Sequence, residues 1–265
     1  MADRRVALIT GASSGIGAEL AREFARNGFD LVLSARRTDR LRALADQIGG
    51  AVEVDVVGVD LSKSRGPARL QEHLGDLGRT VDVLVNNAGV ALSGPFQDYR
   101  KADVRDLLDL NIRALTELTM AVLPGMVARR SGRILNVASV AAFQPVPGLS
   151  VYAATKAYVL SLTESLAEDL RDTGVTVTAL CPGPTRTEMM DEIPGLELAG
   201  PLLADARSVA REGYQACMAG EVIRIPGLVN QASVTWSRYQ PRWLVRMISG
   251  MAARSLLGNG NRSGP

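Results

Sequence analysis

Cysteine and histidine are scarce in this chain, and their scarcity removes whole chemistries. Cys181 and Cys217 lack metal-like spacing, and His73, the single histidine, stands near neither. A disulfide framework and a zinc site are therefore excluded, no metal is expected, and a reducing compartment fits. His73 falls on an outer helix ahead of a glycine-rich turn and is assigned no chemistry. Long apolar runs are missing too: none approaches eighteen residues, so no segment is expected to span a membrane. The opening M-A-D-R-R-V-A-L-I-T is too short an apolar run for a signal peptide, and a cytoplasmic location is expected. Neither sign of charge dominates, because 30 basic residues face 28 acidic ones for a net charge of +2. That balance gives no general electrostatic case for binding nucleic acid. One absence is local. No acidic residue follows Pro226, while Arg238, Arg242, Arg246, Arg254 and Arg262 all do.

What is present is a globular chain of 265 residues, 46% hydrophobic and 22% charged, without repeats or low-complexity linkers. One large domain is expected over 1–240, with a substrate loop at 184–220, followed by a basic amphipathic helix and disordered tail at 241–265. Short apolar runs recur at Val6–Thr10, Asp30–Ser34, Ala51–Val59, Val81–Val85, Arg133–Ala138, Val175–Leu180 and Val222–Ile225. Helical patterns separate them, including one over Asp103–Leu123. Buried runs alternating with helices predict a Rossmann-type, doubly wound parallel α/β sheet of about seven strands, with its ligand at the strands' carboxyl ends.

The residues at those ends point to a dinucleotide. After the first run comes T-G-A-S-S-G-I-G, where Gly11, Gly15 and Gly17 permit a tight turn and close approach of a phosphate to a helix N-terminus. The second run ends in A-R-R. An acidic residue there would bind a ribose 2′-hydroxyl, whereas Arg36 and Arg37 offer guanidinium forks suited to a 2′-phosphate. The other reading is a solvated pair at the start of a helix. Asp60 closes the third run, either capping the next helix or touching an adenine ring. Asn86–Gly89, N-N-A-G, ends the fourth. Asn111 lies within the apolar stripe of its helix, where a buried amide needs partners and becomes a candidate for a structural or catalytic network.

The fifth run delivers Ser139, followed by Tyr152 and Lys156. Val159, Leu162, Leu166 and Leu170 mark an amphipathic helix after Tyr152, so Tyr152 and Lys156 share a face one turn apart. A lysine cation at ~4–6 Å typically moves a phenol's pKa by roughly 1–3 units, or about 1.4–4 kcal/mol. Lys156 is therefore expected to lower the pKa of Tyr152 and make it a proton donor and acceptor near neutral pH. The alternative is an incidental pair on a solvated helix.

Together these residues resemble the short-chain dehydrogenase/reductase family. The resemblance covers Arg5–Thr187 and rests on Thr10–Gly17, Asn86–Gly89, Asn111, Ser139 with Tyr152 and Lys156, and Pro182-Gly183 with Thr187, in order. It implies that Tyr152 is the general acid in carbonyl reduction and the base in alcohol oxidation. Ser139 would stabilise the substrate oxygen, Lys156 would hold the nicotinamide ribose, and Asn111 would anchor a water relay. It further implies cofactor contacts at Gly11, Ser13, Ser14, Gly15, Ile16, Gly17, Asp60, Leu61, Asn87, Ala88, Gly89, Tyr152, Lys156, Pro182, Gly183, Thr185 and Thr187. Arg36 and Arg37 resemble the members that prefer NADP(H) over NAD(H), although Ser13 and Ser14 stand where some of those members carry a basic residue. Relatives often pair through the helices that here hold Asn111 and Lys156, which implies a homodimer or homotetramer. The stretches V-P-G-L-S-V-Y-A-A-T-K and G-E-V-I-R-I-P-G resemble a bacterial branch of broadly annotated oxidoreductases, implying an apolar carbonyl or alcohol, steroid-like or acyl-chain-like.

Ala141, Phe143, Val146 and Leu149 are expected to line the substrate pocket together with Met189 and Met190, which the insertion between Thr187 and Pro201 supplies. Those methionines could equally pack the loop onto the body. Trp243, Leu244, Met247, Ile248 and Met251 share one face of the helix at 241–257, which could lie on an anionic membrane, the body or a partner subunit. Two other functions compete: a catalytically idle NADP(H)-binding sensor or scaffold, disfavoured by the complete Asn111, Ser139, Tyr152, Lys156 set, and a nucleotide-sugar epimerase or dehydratase. The latter is disfavoured because only about 80 residues follow Pro182.

Overall fold

A computed structural model of the chain describes residues 4–191 and 203–257. The apolar runs become seven parallel strands: β1 (Val6–Thr10), β2 (Asp30–Ala35), β3 (Val54–Gly58), β4 (Val81–Asn86), β5 (Gly132–Val137), β6 (Val175–Leu180) and the two-residue β7 (Ile223–Arg224). Their order in the sheet is β3-β2-β1-β4-β5-β6-β7, so the chain reverses its winding between β1 and β4 and opens a crevice there. Helices α1 (Gly15–Arg26), α2 (Thr38–Ile48), α3 (Gly66–Asp76), α4 (Lys101–Leu108), α5 (Leu115–Ala128) and α6 (Ser150–Asp169) alternate with the strands. They are followed by α7 (Glu188–Asp191), α8 (Ala206–Ala219), α9 (Leu228–Tyr239) and α10 (Arg242–Leu257).

Two cores flank the sheet because every second strand residue points to each face. Ile9, Leu33 and Val85 pack under α1, α2 and α8 on one side, where Phe24 meets Tyr214 edge-to-face at 4.9 Å. Leu8, Leu84 and Ile134 pack under α3, α5 and α6 on the other, with Leu70, Leu118 and Leu170. His73, half-buried on α3, binds Asp55 of β3 at 2.5 Å.

Three local expectations change. The helix over Asp103–Leu123 is longer and interrupted, because α4 and α5 are joined by a π-helical segment at Asp109–Ala114. The wider turn rotates Asn111 into the interior, where it is 2% exposed. Asp60 does not cap α3, which starts six residues later with Arg65 at its N-cap; its carboxylate instead accepts from the amide and hydroxyl of Ser62, closing a local turn. The region 184–220 is not simply a loop, since it contains α8, an amphipathic helix packed on α1.

Among the described residues, no helix is long and apolar enough to cross a membrane. Ile193, Pro194, Leu196 and Leu198, the other apolar residues of the insertion between Thr187 and Pro201, and Arg262 of the basic tail lie outside the described residues.

Candidate active site

At the carboxyl ends of β1, β2, β4, β5 and β6 the chain encloses a cleft of about 420 Å³, running from Arg36 and Arg37 at one end to Met189, Met190 and Leu149 at the other. The glycine turn forms its floor. Gly11 has φ +67° and lies so close to Ala88 that a Cβ there would stand 2.8 Å from the Ala88 Cα, so only glycine fits. Thr10 and Asn87 fix the turn. The Thr10 hydroxyl accepts from the amides of Asn87 and Ala88 at 3.0 Å each, and the Asn87 amide donates to the Thr10 and Gly11 carbonyls. Gly17 packs onto the same Gly11 carbonyl and Asn87 amide, leaving no room for a side chain.

Ser14 occupies the N-cap of α1 yet does not cap it. Its hydroxyl instead accepts from Arg37 at 2.9 Å, and Ser13 accepts from the same guanidinium nitrogen at 3.2 Å. The first-turn amides thus face the cleft without a side-chain partner, the condition for holding a pyrophosphate. The Ser34 hydroxyl, fully buried, also lines the cleft and has no hydrogen-bond partner. Arg36 is exposed at the rim. These features fit the adenosine and diphosphate half of a nicotinamide dinucleotide. Ser13, Ser14, Gly15, Ile16, Asp60, Leu61, Ala88, Gly89, Pro182, Gly183, Thr185 and Thr187 all line the same cleft, as expected.

The opposite end carries the candidate chemistry. Ser139, Tyr152 and Lys156 line one wall. Ser139 starts a short 3-10 turn, accepting from the Ala141 amide at 3.1 Å, and Tyr152 and Lys156 rise from the first turns of α6. The Lys156 ammonium is buried and donates to the Val137 carbonyl at 2.7 Å. It lies 5.6 Å from the centre of the Tyr152 ring.

That arrangement corrects the expected effect of the lysine on the tyrosine. Desolvation pushes the Tyr152 phenol above its ordinary range, and the opposing influence is a hydrogen bond with Ser139, not the charge of Lys156. The lysine turns away toward the end of β5 and is desolvated itself, which lowers its pKa to about 8. Tyr152 is accordingly a protonated acid at neutral pH in this state, and Lys156 is a cation close to losing its proton.

Asn111 does not touch Lys156 directly. Its amide accepts from Val90 N at 3.0 Å and donates to Val90 O at 2.9 Å and Thr155 Oγ1 at 3.1 Å, stitching the chain after β4 to α6. Both groups border Gly89: a Cβ there would stand 3.3 Å from Asn111 Oδ1 and 3.6 Å from Lys156 Nζ.

Ala141, Val146, Leu149, Met189 and Met190 line the cleft, whereas Phe143 does not. The Phe143 ring is covered by the Arg238 guanidinium of α9 at 4.9 Å, a cation–π contact that draws it into the protein wall.

Two supporting elements escaped the sequence reading. Asn136 is fully buried and joins Asn86 to Thr163, donating to Thr163 Oγ1 at 2.9 Å and accepting from Asn86 at 2.9 Å, so it fastens α6 to the sheet. An asparagine inside the apolar run R-I-L-N-V was its available signal. Tyr99 donates its hydroxyl to the carbonyls of Leu92 and Gly148, holding the two substrate-side loops together.

The short chain dehydrogenase family model matches residues 5–195. The chain belongs to the short-chain dehydrogenase family, and its Rossmann-type sheet and cleft are those of that family's oxidoreductases. It is 42% identical over 185 residues to sulfoacetaldehyde reductase 2 of Chromohalobacter salexigens, covering 69% of this chain and 73% of the relative. A short-chain dehydrogenase from Sphingobium yanoikuyae, solved in complex with NADPH, superimposes with a TM-score of 0.79 at 35% identity over 98% of both chains. The bulky-bulky ketone specific alcohol dehydrogenase from Comamonas testosteroni does so with a TM-score of 0.76 at 32% identity, covering 90% of this chain and 95% of that one.

Proposed function

We propose that the protein is an NADP(H)-dependent oxidoreductase that interconverts an apolar ketone or aldehyde and its alcohol, with Tyr152 as the general acid and base. The observation that carries this reading is one cleft lined by Arg37, tied to Ser13 and Ser14, at one end and by Ser139, Tyr152 and Lys156 together at the other. NADP(H), when bound, supplies or accepts the hydride. Ser139 and Tyr152 hold the substrate oxygen, and the desolvated phenol gives it a proton during reduction. Lys156 brings a positive charge to the ribose end of the nicotinamide, and Asn111 fixes the strap and helix that position it. An idle sensor would leave this set without a purpose.

The similar proteins span very different substrates by name, a sulfoacetaldehyde reductase and an alcohol dehydrogenase for bulky ketones. The cleft lining favours the apolar class. Val140, Ala141, Val146, Leu149, Met189 and Met190 border it, and its basic side chains among the described residues are Arg36 and Arg37, at the far end, and Lys156. Among the described residues, the cation at the substrate end is Lys156, which is tied to the Val137 carbonyl and not placed to hold a sulfonate. Following NADPH and NADH absorbance against carbonyls graded from small anions to steroids and long acyl chains tests the reading. We expect NADPH consumption with the bulky apolar members; turnover confined to small anionic aldehydes, or to NADH, overturns it.

The apolar stripe of α10 supports a peripheral membrane contact as well. Leu244 and Val245 face the body, leaving Trp243, Met247 and Met251 outward, 59%, 47% and 57% exposed. The exposed Arg242 and Arg246 accompany them, with no acidic residue after Pro226. Basic charge around exposed aromatic and apolar side chains suits an anionic lipid surface. Co-sedimentation with phosphatidylglycerol vesicles is expected for the full chain and is expected to fall several-fold in Trp243→Glu/Met247→Glu; equal recovery of both proteins removes the idea. The outer face of α5 and α6, where Met120 is 67% exposed and Tyr158 bonds Thr116 across the two helices, supports pairing with a second copy.

A further inference from the structure

One carboxylate in the cleft has no part in the chemistry above. Glu188, the first residue of α7, projects across the adenosine end rather than toward the substrate. Its Oε2 accepts from Arg37 Nη1 at 2.7 Å, and its Oε1 pairs with Arg40 Nη1. The other terminal nitrogen of Arg37 goes to Ser13 and Ser14. One carboxylate therefore spans two guanidinium groups at the place where the A-R-R step would receive a 2′-phosphate. The Arg37 nitrogen it holds is a donor that a phosphate oxygen would use, and Arg40, outside the cleft lining, tethers its other oxygen.

We infer that Glu188 is a built-in competitor for the 2′-phosphate: it occupies Arg37 and Arg40 until NADP(H) displaces it, and an NAD(H) molecule leaves the pair intact. The inference rests on the NADP(H) reading above. Three further observations support it. The two arginines hold the Glu188 carboxyl below its ordinary pKa, so it stays an anion throughout the neutral range. All three side chains are between 41% and 47% exposed, so the ties are weak enough for a dianionic phosphate to exchange with them. Glu188 also directly precedes Met189 and Met190 and lines the same cleft with them, so its carboxylate is already within the space the cofactor would enter.

Dissociation constants measured by fluorescence and calorimetry test this without turnover. The probes are NADPH, NADH, adenosine 2′-monophosphate and adenosine 5′-monophosphate, on wild type, Glu188→Gln and Glu188→Ala. Because half-exposed ion pairs are individually weak, both variants should bind NADPH and adenosine 2′-monophosphate about fivefold to tenfold more tightly. NADH and adenosine 5′-monophosphate should change by less than about twofold, which also shows that the fold is intact. Weaker NADPH binding in both variants overturns the inference, because Glu188 would then be positioning the arginines for the phosphate. Unchanged NADPH binding overturns it too, while leaving the oxidoreductase reading in place. Wild-type protein that binds NADH but not NADPH removes the cofactor reading and the inference together.

Discussion

Tyr152→Phe lowers kcat for carbonyl reduction by about a thousandfold, within the range that a positioned general acid contributes, and leaves NADPH affinity within about twofold. The substitution keeps the ring that forms the cleft wall and removes one hydroxyl, so packing on α6 is preserved. What is lost is the proton donor. Desolvation holds the phenol protonated at neutral pH, with only the Ser139 hydrogen bond working the other way. Reduction therefore draws on a full population of acid through the neutral range. The pH dependence of kcat/KM, which reports groups of the free enzyme, should be set by the neighbour: Lys156 loses its charge as pH rises through about 8, and kcat/KM for reduction declines there. Steady-state rates with NADPH and the best substrate of the graded panel, alongside a fluorescence titration of cofactor, check both statements. A variant retaining a tenth or more of wild-type turnover, with normal cofactor binding, removes Tyr152 from the proposed role.

The sheet was legible because its strands are buried on both faces and read as unbroken apolar runs. Val6–Thr10 and Val175–Leu180 coincide with β1 and β6, and the others shift by a few residues at the ends, where hydrogen bonding and burial stop at different places. The site's membership was legible for a related reason. In a parallel sheet, chemistry-bearing residues follow directly on the strand ends, so Gly11, Asn87, Ser139 and Pro182 could be assigned to one edge without knowing any distance. Side-chain direction was not legible. The spacing of Tyr152 and Lys156 fixes a shared helix face, but whether the ammonium goes to the phenol or to the Val137 carbonyl depends on where β5 ends beneath it. Likewise, Phe143 was placed by its position between Ser139 and Tyr152, and its partner Arg238 comes from a helix ninety-five residues later. The π segment around Asn111 left no periodic mark, since six residues of wider turn scarcely disturb a stripe read over about twenty.

Lys156→Met should separate activity from stability most clearly. Turnover falls at least about a hundredfold, because the cation beside the nicotinamide ribose and the acid is gone. The fold responds in the opposite sense. In the unfolded chain a lysine titrates near 10.5, and in the ligand-free fold burial lowers that to about 8. A depressed folded pKa means that the native state is penalised while the lysine must carry charge. The penalty is greatest below about pH 8 and disappears as pH rises through 10.5. At neutral pH it amounts to about 3 kcal/mol. Part of the gain in the variant is offset, since Val137 O loses its donor, a cost of about 1–3 kcal/mol that does not vary with pH. The difference in pH dependence is not affected by that loss. Wild type should gain about 2 kcal/mol relative to Lys156→Met between about pH 7 and about pH 9.5, or about 4–8 °C in Tm for a chain of this length. Urea unfolding of both proteins across that interval, without nucleotide, measures the difference, in which all other titrating groups cancel. Parallel curves would mean that Lys156 is not held as a desolvated cation. Converging curves would mean that the fold accepts a strained charge at this position, and that catalysis rather than packing is the reason a lysine stands there.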